Sequence, residues 1–194
     1  MLFTGIRLYF SGYADGASGV RQNTKGEGAF VIIRALFGLP LAIGFLAYMA
    51  WPPLMEWSHL PLSDALRWAG ALLMTLSLPA ILWVQKHLSR NFTGTVQIRP
   101  DGHVVKTGPY AFVRHPMYLV FLLLGTGILF LTANWFLGGG FLLVVLIVMI
   151  VRTPIEEREL LNAYGEEYEK YMQHTARFLP SFLSMVKQKP TSNK

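Results

Sequence analysis

Residues 117–151 read MYLVFLLLGTGILFLTANWFLGGGFLLVVLIVMIV, a stretch without a charged side chain. It holds two apolar runs, Met117 to Ala133 and Trp135 to Val151, and each approaches the roughly 20 residues that cross a hydrocarbon core. At most three residues, Thr132 to Asn134, connect the two runs. Because so short a connection leaves no room for a crossover, the two runs are predicted to form an antiparallel helical hairpin.

Two further apolar runs precede the hairpin, Ala29 to Trp51 and Trp68 to Val84. The four runs predict an all-α, polytopic membrane helical bundle with four spans and room for a fifth short membrane helix. Pro40 and Pro79 lie inside the first two runs. Since proline removes a backbone donor, we expect these two helices to be bent or divided differently.

The composition also favours a membrane protein, since 53% of the 194 residues are hydrophobic and 14% are charged. The chain has no cysteine, which excludes disulfides and thiolate metal sites, and its five histidines are scattered, so no metal site is expected. The net charge of +6 comes from basic residues beside apolar spans, where anionic lipid attracts them. We therefore expect a lipid bilayer as the partner and no nucleic acid.

The lysines and arginines indicate the orientation, because such residues near span ends stay on the cytoplasmic side. With an even number of spans, one side of the membrane holds the lysines and arginines that lie before the first span, between the second and third spans, and after the fourth. Both termini are therefore expected in the cytoplasm. The other side has only Arg67, at the edge of the second span. The residues of the basic side are Arg7, Arg21, Lys25, Lys86, Arg90, Arg99, Lys106, Arg114, Arg152, Arg158, Lys170, Arg177, Lys187, Lys189 and Lys194.

A polar segment, Gln97 to Tyr118, separates the second and third spans and reads QIRPDGHVVKTGPYAFVRHPMY. Pro116 is placed to start the third helix, which would leave the preceding backbone groups free to contact a ligand. Arg114 and His115 then fall at the inner membrane boundary. Such residues ordinarily anchor a span at the headgroups, but this concentration of polar side chains at the bilayer edge favours a functional site.

Thr107 to Tyr110 and Val113 to Tyr118, TGPY and VRHPMY, resemble the signature that isoprenylcysteine carboxyl methyltransferases share with membrane phospholipid methyltransferases. Glu156-Glu157, the GEEY that starts at Gly165 and the RFLP that ends at Pro180 are similar to the family's C-terminal pattern. The resemblance covers about Gln97 to Pro180, and the first two spans match only as hydrophobic helices. One departure is Val120, where many relatives have glycine.

The resemblance implies an enzyme that uses S-adenosylmethionine to methylate the C-terminal carboxylate of a prenylated cysteine at the cytoplasmic face, with S-adenosylhomocysteine as product. Arg152 would face the substrate carboxylate. The residues that would surround S-adenosylmethionine are Gln97, His103, Val104, Val105, Lys106, Tyr110, His115, Pro116, Met117, Tyr118 and Glu156.

The organisation that follows is a single membrane methyltransferase domain over residues 1–194. We expect an interfacial and polar N-terminal segment over residues 1–28 and the first spans over 29–84. The catalytic region is placed at residues 97–180, and residues 181–194 are expected to be a flexible basic tail.

Arg152 and Glu156, which follow the last span, each allow two interpretations. Thr153-Pro154-Ile155-Glu156 has the pattern of a capping box, so Glu156 either caps a new helix or contacts the ammonium group of the cofactor. Arg152 ends an apolar span, so its guanidinium either reaches the interface or holds a carboxylate in a bidentate pair.

Two other patterns predict packing. An apolar stripe with helical spacing, Leu160, Leu161, Tyr164, Tyr168, Tyr171 and Met172, is typical of a surface helix packed on protein or headgroups. Gly138-Gly139-Gly140 lacks the spacing of a phosphate-binding loop and favours close helix packing instead.

A carboxylate acceptor is already ionised at neutral pH and needs no general base, whereas the ammonium of an ethanolamine lipid must first lose a proton. We therefore favour a carboxylate held by Arg152, with the isoprenoid chain entering sideways from lipid. The alternatives are a phospholipid N-methyltransferase that acts on ethanolamine lipids, a sterol-type membrane reductase and a non-enzymatic helical scaffold.

Overall fold

The computed structural model describes residues 28–88 and 103–179, and over residues 28–34 it describes the backbone alone. Within these ranges the chain forms five α-helices and no extended strand, which confirms the predicted all-α class. The expectations for residues 1–27, for Gln97 and for the tail lie outside the described residues. The helices are α1 (Gly28–Ala50), α2 (Asp64–Leu88), α3 (Pro116–Thr132), α4 (Gly140–Tyr164) and α5 (Glu166–His174), with short 3₁₀ turns at Pro52–Ser58 and Gly108–Ala111 and a π-helical turn at Trp135–Gly139.

Two stretches of helix in the described part of the chain are long and apolar enough to cross a membrane, Asp64–Leu88 and Trp135–Tyr164. Only 17% and 28% of their most apolar windows are buried, so their apolar side chains face outward, as in a lipid-facing helix. Ala35–Ala50 and Pro116–Thr132 are shorter apolar helices. Pro40 and Pro79 lie inside continuous helices, so neither divides its run.

The described residues belong to two compact units. The hairpin unit comprises residues 28–81 and 120–153, and the polar unit comprises residues 82–88, 103–119 and 154–179.

Close contact between α3 and the start of α4 shapes the hairpin unit. A Cβ atom on Gly138 would lie 2.2 Å from Cα of Leu129, and one on Gly125 would lie 2.7 Å from Cδ2 of Leu142. The facing positions run in opposite directions along the chain, as the predicted antiparallel hairpin requires. Gly138 therefore has the packing role expected for the glycine triplet, whereas a Cβ atom on Gly139 would meet nothing within 4 Å.

The connection between α3 and the π-helical turn is held at one end of this unit. Ala133 has a positive φ of 48°, and the Asn134 side chain accepts a hydrogen bond from the Leu137 N–H at 3.0 Å. The Asn134 amide also donates to Ser58 Oγ at 2.7 Å, and the Ala133 carbonyl accepts from the Leu60 N–H at 2.6 Å. Hydrogen bonds thus join the 3₁₀ turn at Pro52–Ser58 and the residues after it to the tip of the hairpin.

Exposed indole rings surround that end, which is typical of a membrane–water interface. Trp57 packs edge-on against Trp135 with ring centroids 5.4 Å apart. The exposed tryptophans of this end are Trp51, Trp57, Trp68 and Trp135.

The predicted helix start at Thr153 is wrong, because α4 continues through Pro154 to Tyr164. The Thr153 hydroxyl caps nothing: it is buried and has no hydrogen-bond partner within the described ranges. The single surface helix expected from Leu160 to Met172 is also divided. Gly165 has a positive φ of 49° and separates α4 from α5, because glycine enters this region at little steric cost.

Candidate functional site

The end of α2 fixes the 3₁₀ turn of the polar unit. Gly108 has a positive φ of 58°, and a Cβ atom on it would lie 2.3 Å from the His87 ring. Glycine is therefore required twice over, by its conformation and by the close approach of His87. Pro116 then starts α3, as predicted.

The signature segment, residues 107–118, pairs with residues 175–179, which follow α5 in the polar unit. Val113 and Ala176 form an isolated parallel bridge, and the Arg114 N–H donates to the Ala176 carbonyl at 2.9 Å. The His115 N–H donates to the Arg177 carbonyl at 3.2 Å. The prediction that these backbone groups stay free for a ligand is wrong for both N–H groups, because the chain itself satisfies them.

Glu157 is the centre of an ionic cluster formed with Arg114, His115 and Arg177. Its Oε1 lies 3.0 Å from Arg114 Nε and 3.2 Å from His115 Nε2, and its Oε2 accepts from Arg177 Nη2. The Glu157 side chain is only 8% exposed. The hydrogen bond from Arg177 to Glu157 raises the pKa of Arg177 further. A buried carboxylate needs such partners, so this cluster holds Glu157 ionised.

Arg114 also fixes the end of α5. Its Nη1 donates to the carbonyls of Met172, at 2.9 Å, and Thr175, at 2.6 Å. A cation that satisfies the last carbonyls of a helix stabilises that end. The Arg114 side chain is therefore bound within the protein, and it does not have the ordinary role of a headgroup anchor.

His115 lies between two carboxylates. Its Nδ1 is 3.6 Å from Glu156 Oε2, and its Nε2 is 3.2 Å from Glu157 Oε1. Two aromatic rings border the imidazole, with centroids 6.0 Å away for Tyr118 and 5.8 Å away for Phe178. The Glu156 side chain keeps 25% of its surface exposed. Three residues of the predicted site, His115, Tyr118 and Glu156, thus come together in the polar unit.

Helix α5 attaches to the segment that precedes the signature. The Tyr171 hydroxyl donates to the Tyr110 carbonyl at 2.6 Å, and Lys106 Nζ pairs with Glu167 Oε1 at 2.7 Å. Val104, Tyr168 and Tyr171 form a buried cluster with Leu160, Tyr164 and Met172 packed against it. Burial raises the pKa of Tyr168 and Tyr171, so both phenols stay neutral. Five of the six residues of the predicted apolar stripe therefore pack against protein, whereas Leu161 is exposed.

The remaining predicted site residues are distributed over both units. His103 is exposed, Val105 and Met117 are half-buried and Pro116 is buried, all in the polar unit. Arg152 is buried and belongs to the hairpin unit.

The cluster role of Glu157 and of its two arginines was not predicted from the sequence. One signal was present: Arg114, Glu157 and Arg177 all stand in the motifs that carry the family resemblance. The resemblance assigned a role to the neighbouring Glu156 instead. Adjacent helical residues point about 100° apart, and only the packing shows which of them faces the cluster.

Residues 71–162 match the isoprenylcysteine carboxyl methyltransferase (ICMT) family, which confirms the resemblance predicted from the signature. The match begins within α2 and ends within α4, so it covers both the signature and the two glutamates. It starts earlier than the resemblance over Gln97 to Pro180, because part of the second apolar run also matches. It ends before the C-terminal pattern.

Two relatives carry different names. Protein-S-isoprenylcysteine O-methyltransferase B of Arabidopsis thaliana is 32% identical over 93 residues, which are 47% of this chain and 47% of the relative. Methanethiol S-methyltransferase 1 of Bradyrhizobium diazoefficiens is 37% identical over 71 residues, 37% of this chain and 24% of the relative. The matched part of the chain therefore spans less than half the length of either relative.

A solved structure shares the fold. It is described as the eukaryotic intramembrane Ras methyltransferase ICMT (isoprenylcysteine carboxyl methyltransferase) without a monobody. The TM-score is 0.60 at 19% identity, over 94% of this chain and 64% of the other. At this identity the likeness shows the helical architecture and nothing about the reaction.

Proposed function

We propose that this chain, which resembles the isoprenylcysteine carboxyl methyltransferase family over residues 71–162, is a membrane methyltransferase. Its methyl donor is S-adenosylmethionine, and its acceptor is the C-terminal carboxylate of a prenylated cysteine. The observation that carries the proposal is the placement of His115, from the signature segment, within 4 Å of both Glu156 and Glu157. Two separate parts of the family pattern thereby meet in one polar unit.

The residues of this unit fit the proposed donor. S-adenosylmethionine supplies a methyl group when bound, and it carries a sulfonium, an ammonium and an adenine ring. Glu156 provides a partly exposed carboxylate for the ammonium, as a cation beside the membrane requires. The rings of Tyr118 and Phe178 provide faces that attract a sulfonium. His103, Val104, Val105, Lys106, Tyr110, Pro116 and Met117 complete the proposed site, together with Gln97.

The first test is calorimetric titration with S-adenosylhomocysteine. His115→Ala and Glu156→Gln are each expected to weaken binding about 10- to 100-fold, because each removes a hydrogen-bonding or charged partner. Glu166→Gln, which removes a carboxylate from the exposed ion pair with Lys170, is the matched control and should bind like the wild type. Wild-type affinity in both site variants would refute the assignment, and heat from NADPH alone would favour a reductase.

Arg152 is assigned to the acceptor. A guanidinium can hold a carboxylate through two hydrogen bonds, which a lysine cannot do with the same geometry. Once the acceptor is held, no group of the chain needs to remove a proton, because the carboxylate is already ionised.

Arg152→Lys is therefore expected to raise KM for a farnesylcysteine analogue about 10- to 100-fold and to leave S-adenosylhomocysteine affinity unchanged. Initial rates of methyl incorporation over a range of acceptor concentrations measure this effect. An unchanged KM would remove Arg152 from the acceptor site. Methylation of ethanolamine lipid in place of the farnesylcysteine analogue would refute the proposed acceptor and would not affect the proposed methyl donor.

A second candidate acceptor is a small thiol, because one of the two relatives is a methanethiol S-methyltransferase. The ordinary pKa of a thiol lies above neutral pH, so a thiol must lose its proton before it attacks, whereas a carboxylate is already ionised. Methanethiol belongs in the same acceptor assay. A rate that rises with pH for methanethiol and stays flat for farnesylcysteine would distinguish the two reactions.

We also propose four membrane spans, with both termini and the site in the cytoplasm. The chain has no cysteine, so single-cysteine variants report one position without background. Ser63 and Gln173 are both exposed. In intact cells, a membrane-impermeant maleimide should label Ser63→Cys, and it should label Gln173→Cys only after the membrane is opened. The reverse pattern would invert the orientation, and labelling of both in intact cells would contradict the even number of spans.

A further inference from the structure

Gln85 is the unexplained polar residue of the polar unit. It lies near the C-terminal end of α2 and is 0% exposed. Neither its Nε2 nor its Oε1 has a hydrogen-bond partner among the described residues. Ser77, two turns earlier on the same helix, is equally buried, yet its hydroxyl donates to the Met74 carbonyl at 2.6 Å. Gln85 is therefore exceptional on this face of the helix.

An amide that serves only to fill space would be replaced by a methionine or leucine at lower cost, because burying an unpaired polar group is unfavourable. A buried polar group without a protein partner needs one from outside the chain, which is a water, an ion or a ligand. Both polar atoms of Gln85 need a partner, so the group that binds them must both donate and accept a hydrogen bond.

A carboxamide presents a donor beside an acceptor, so its best partner presents an acceptor beside a donor. A carboxylate or a phosphate offers acceptors only and would leave Oε1 of Gln85 unpaired. An ammonium offers donors only and would leave Nε2 unpaired. The adenine ring has an exocyclic amine next to a ring nitrogen, and asparagine and glutamine pair with adenine through this edge.

The position of Gln85 agrees with such a role. It belongs to the same compact unit as His115 and Glu156. The close approach of His87 to Gly108 fixes the end of α2 against the 3₁₀ turn of the signature segment. A side chain on this part of α2 is therefore positioned by the same contacts that position the candidate site.

We propose that the Gln85 carboxamide recognises the adenine ring of the methyl donor and so selects an adenosyl compound over other purine analogues. This inference rests on the proposed use of S-adenosylmethionine. It adds to the site a residue that lies before Gln97, outside the segment in which the signature is found.

The test compares two ligands by calorimetry with the full chain in detergent: S-adenosylhomocysteine and its analogue in which purine, without the 6-amino group, replaces adenine. Wild-type protein is expected to prefer the adenine compound about 10-fold or more, because the analogue leaves Oε1 unpaired. Gln85→Met should lose about the same factor for S-adenosylhomocysteine and bind both ligands alike. Gln85→Leu is a second variant, and Ser77→Ala, on the same buried face, is the control that should keep the preference.

The outcomes separate this inference from the proposed function. If wild-type protein binds S-adenosylhomocysteine and Gln85→Met keeps the wild-type preference between the two ligands, Gln85 does not contact adenine, whatever happens to its thermal stability. If Gln85→Met keeps the preference but raises KM for the acceptor, the residue belongs to the acceptor site and the inference is wrong. If wild-type protein binds neither ligand, the proposed function fails and this inference with it.

Discussion

Glu157→Gln is expected to reduce stability by about 3–5 kcal/mol, because it leaves the partners of a buried carboxylate without their counter-ion. Glu157 contacts Arg114, His115 and Arg177, and it thereby joins α4, the signature segment and the segment that follows α5. Arg114 and His115 are themselves 11% and 8% exposed, so water cannot replace the lost partner. Arg177 is half-exposed and contributes less.

Thermal unfolding in detergent should show a decrease in apparent Tm of about 10 °C for Glu157→Gln. Glu167→Gln is the matched control: its pair with Lys106 is about half exposed on both sides, and its loss should cost at most about 1 kcal/mol. Hydrogen exchange adds a local readout, since the Arg114 and His115 amides bond to residues 176 and 177 and should lose protection. Equal Tm values for the two variants would show that the cluster does not hold this unit together.

Gly138→Ala is expected to destabilise the hairpin by about 3 kcal/mol, near the upper end of what overpacking costs. The added Cβ would lie 2.2 Å from the Leu129 Cα and 2.4 Å from the Leu129 N, and backbone atoms cannot move aside as a flexible side chain does. The two helices must separate to admit it, which removes contacts along their length.

Gly139 gives the neighbouring control, because a Cβ there meets nothing within 4 Å. Gly139→Ala should leave the apparent Tm unchanged or raise it slightly, as alanine restricts the unfolded chain. Thermal melts of the two variants in one detergent decide the comparison. A similar loss in both would mean that the glycine triplet needs flexibility, and that close approach is not its role.

The sequence predicted those features of the fold that depend on the length of the apolar runs, on a proline at a helix start and on a short connection. Pro116 starts a helix as expected, and Thr132 to Asn134 close a hairpin, since a connection of this length permits little else. The helix start predicted at Thr153 was wrong, because the sequence alone does not distinguish a proline at the first position of a helix from a proline inside a helix. The long helix through Pro154 omits one backbone bond, and the local capping pattern does not decide against it.

The contacts of the candidate site were predictable where a motif fixes neighbours in sequence, as for the rings of His115 and Tyr118. It was not predictable where a contact joins distant segments through one helical face. Glu156 and Glu157 are adjacent and chemically identical, yet their exposures are 25% and 8% and their partners differ. Gln85 carries no motif at all, and its burial becomes visible only when the helix is packed.

The π-helical turn at Trp135–Gly139 determines how α4 is rotated about its own axis. A π-helical turn holds one residue more than an α-helical turn, and each residue advances a helix by about 100°. Removing one residue between Asn134 and Gly140 would leave an ordinary α-helical start and preserve the azimuth of everything after it. The same deletion directly after Gly140 would instead turn Leu142 by about 100° away from Gly125, the glycine against which it packs. The π-helical turn is therefore the place where a change of chain length disturbs the packing of α4 beyond it least.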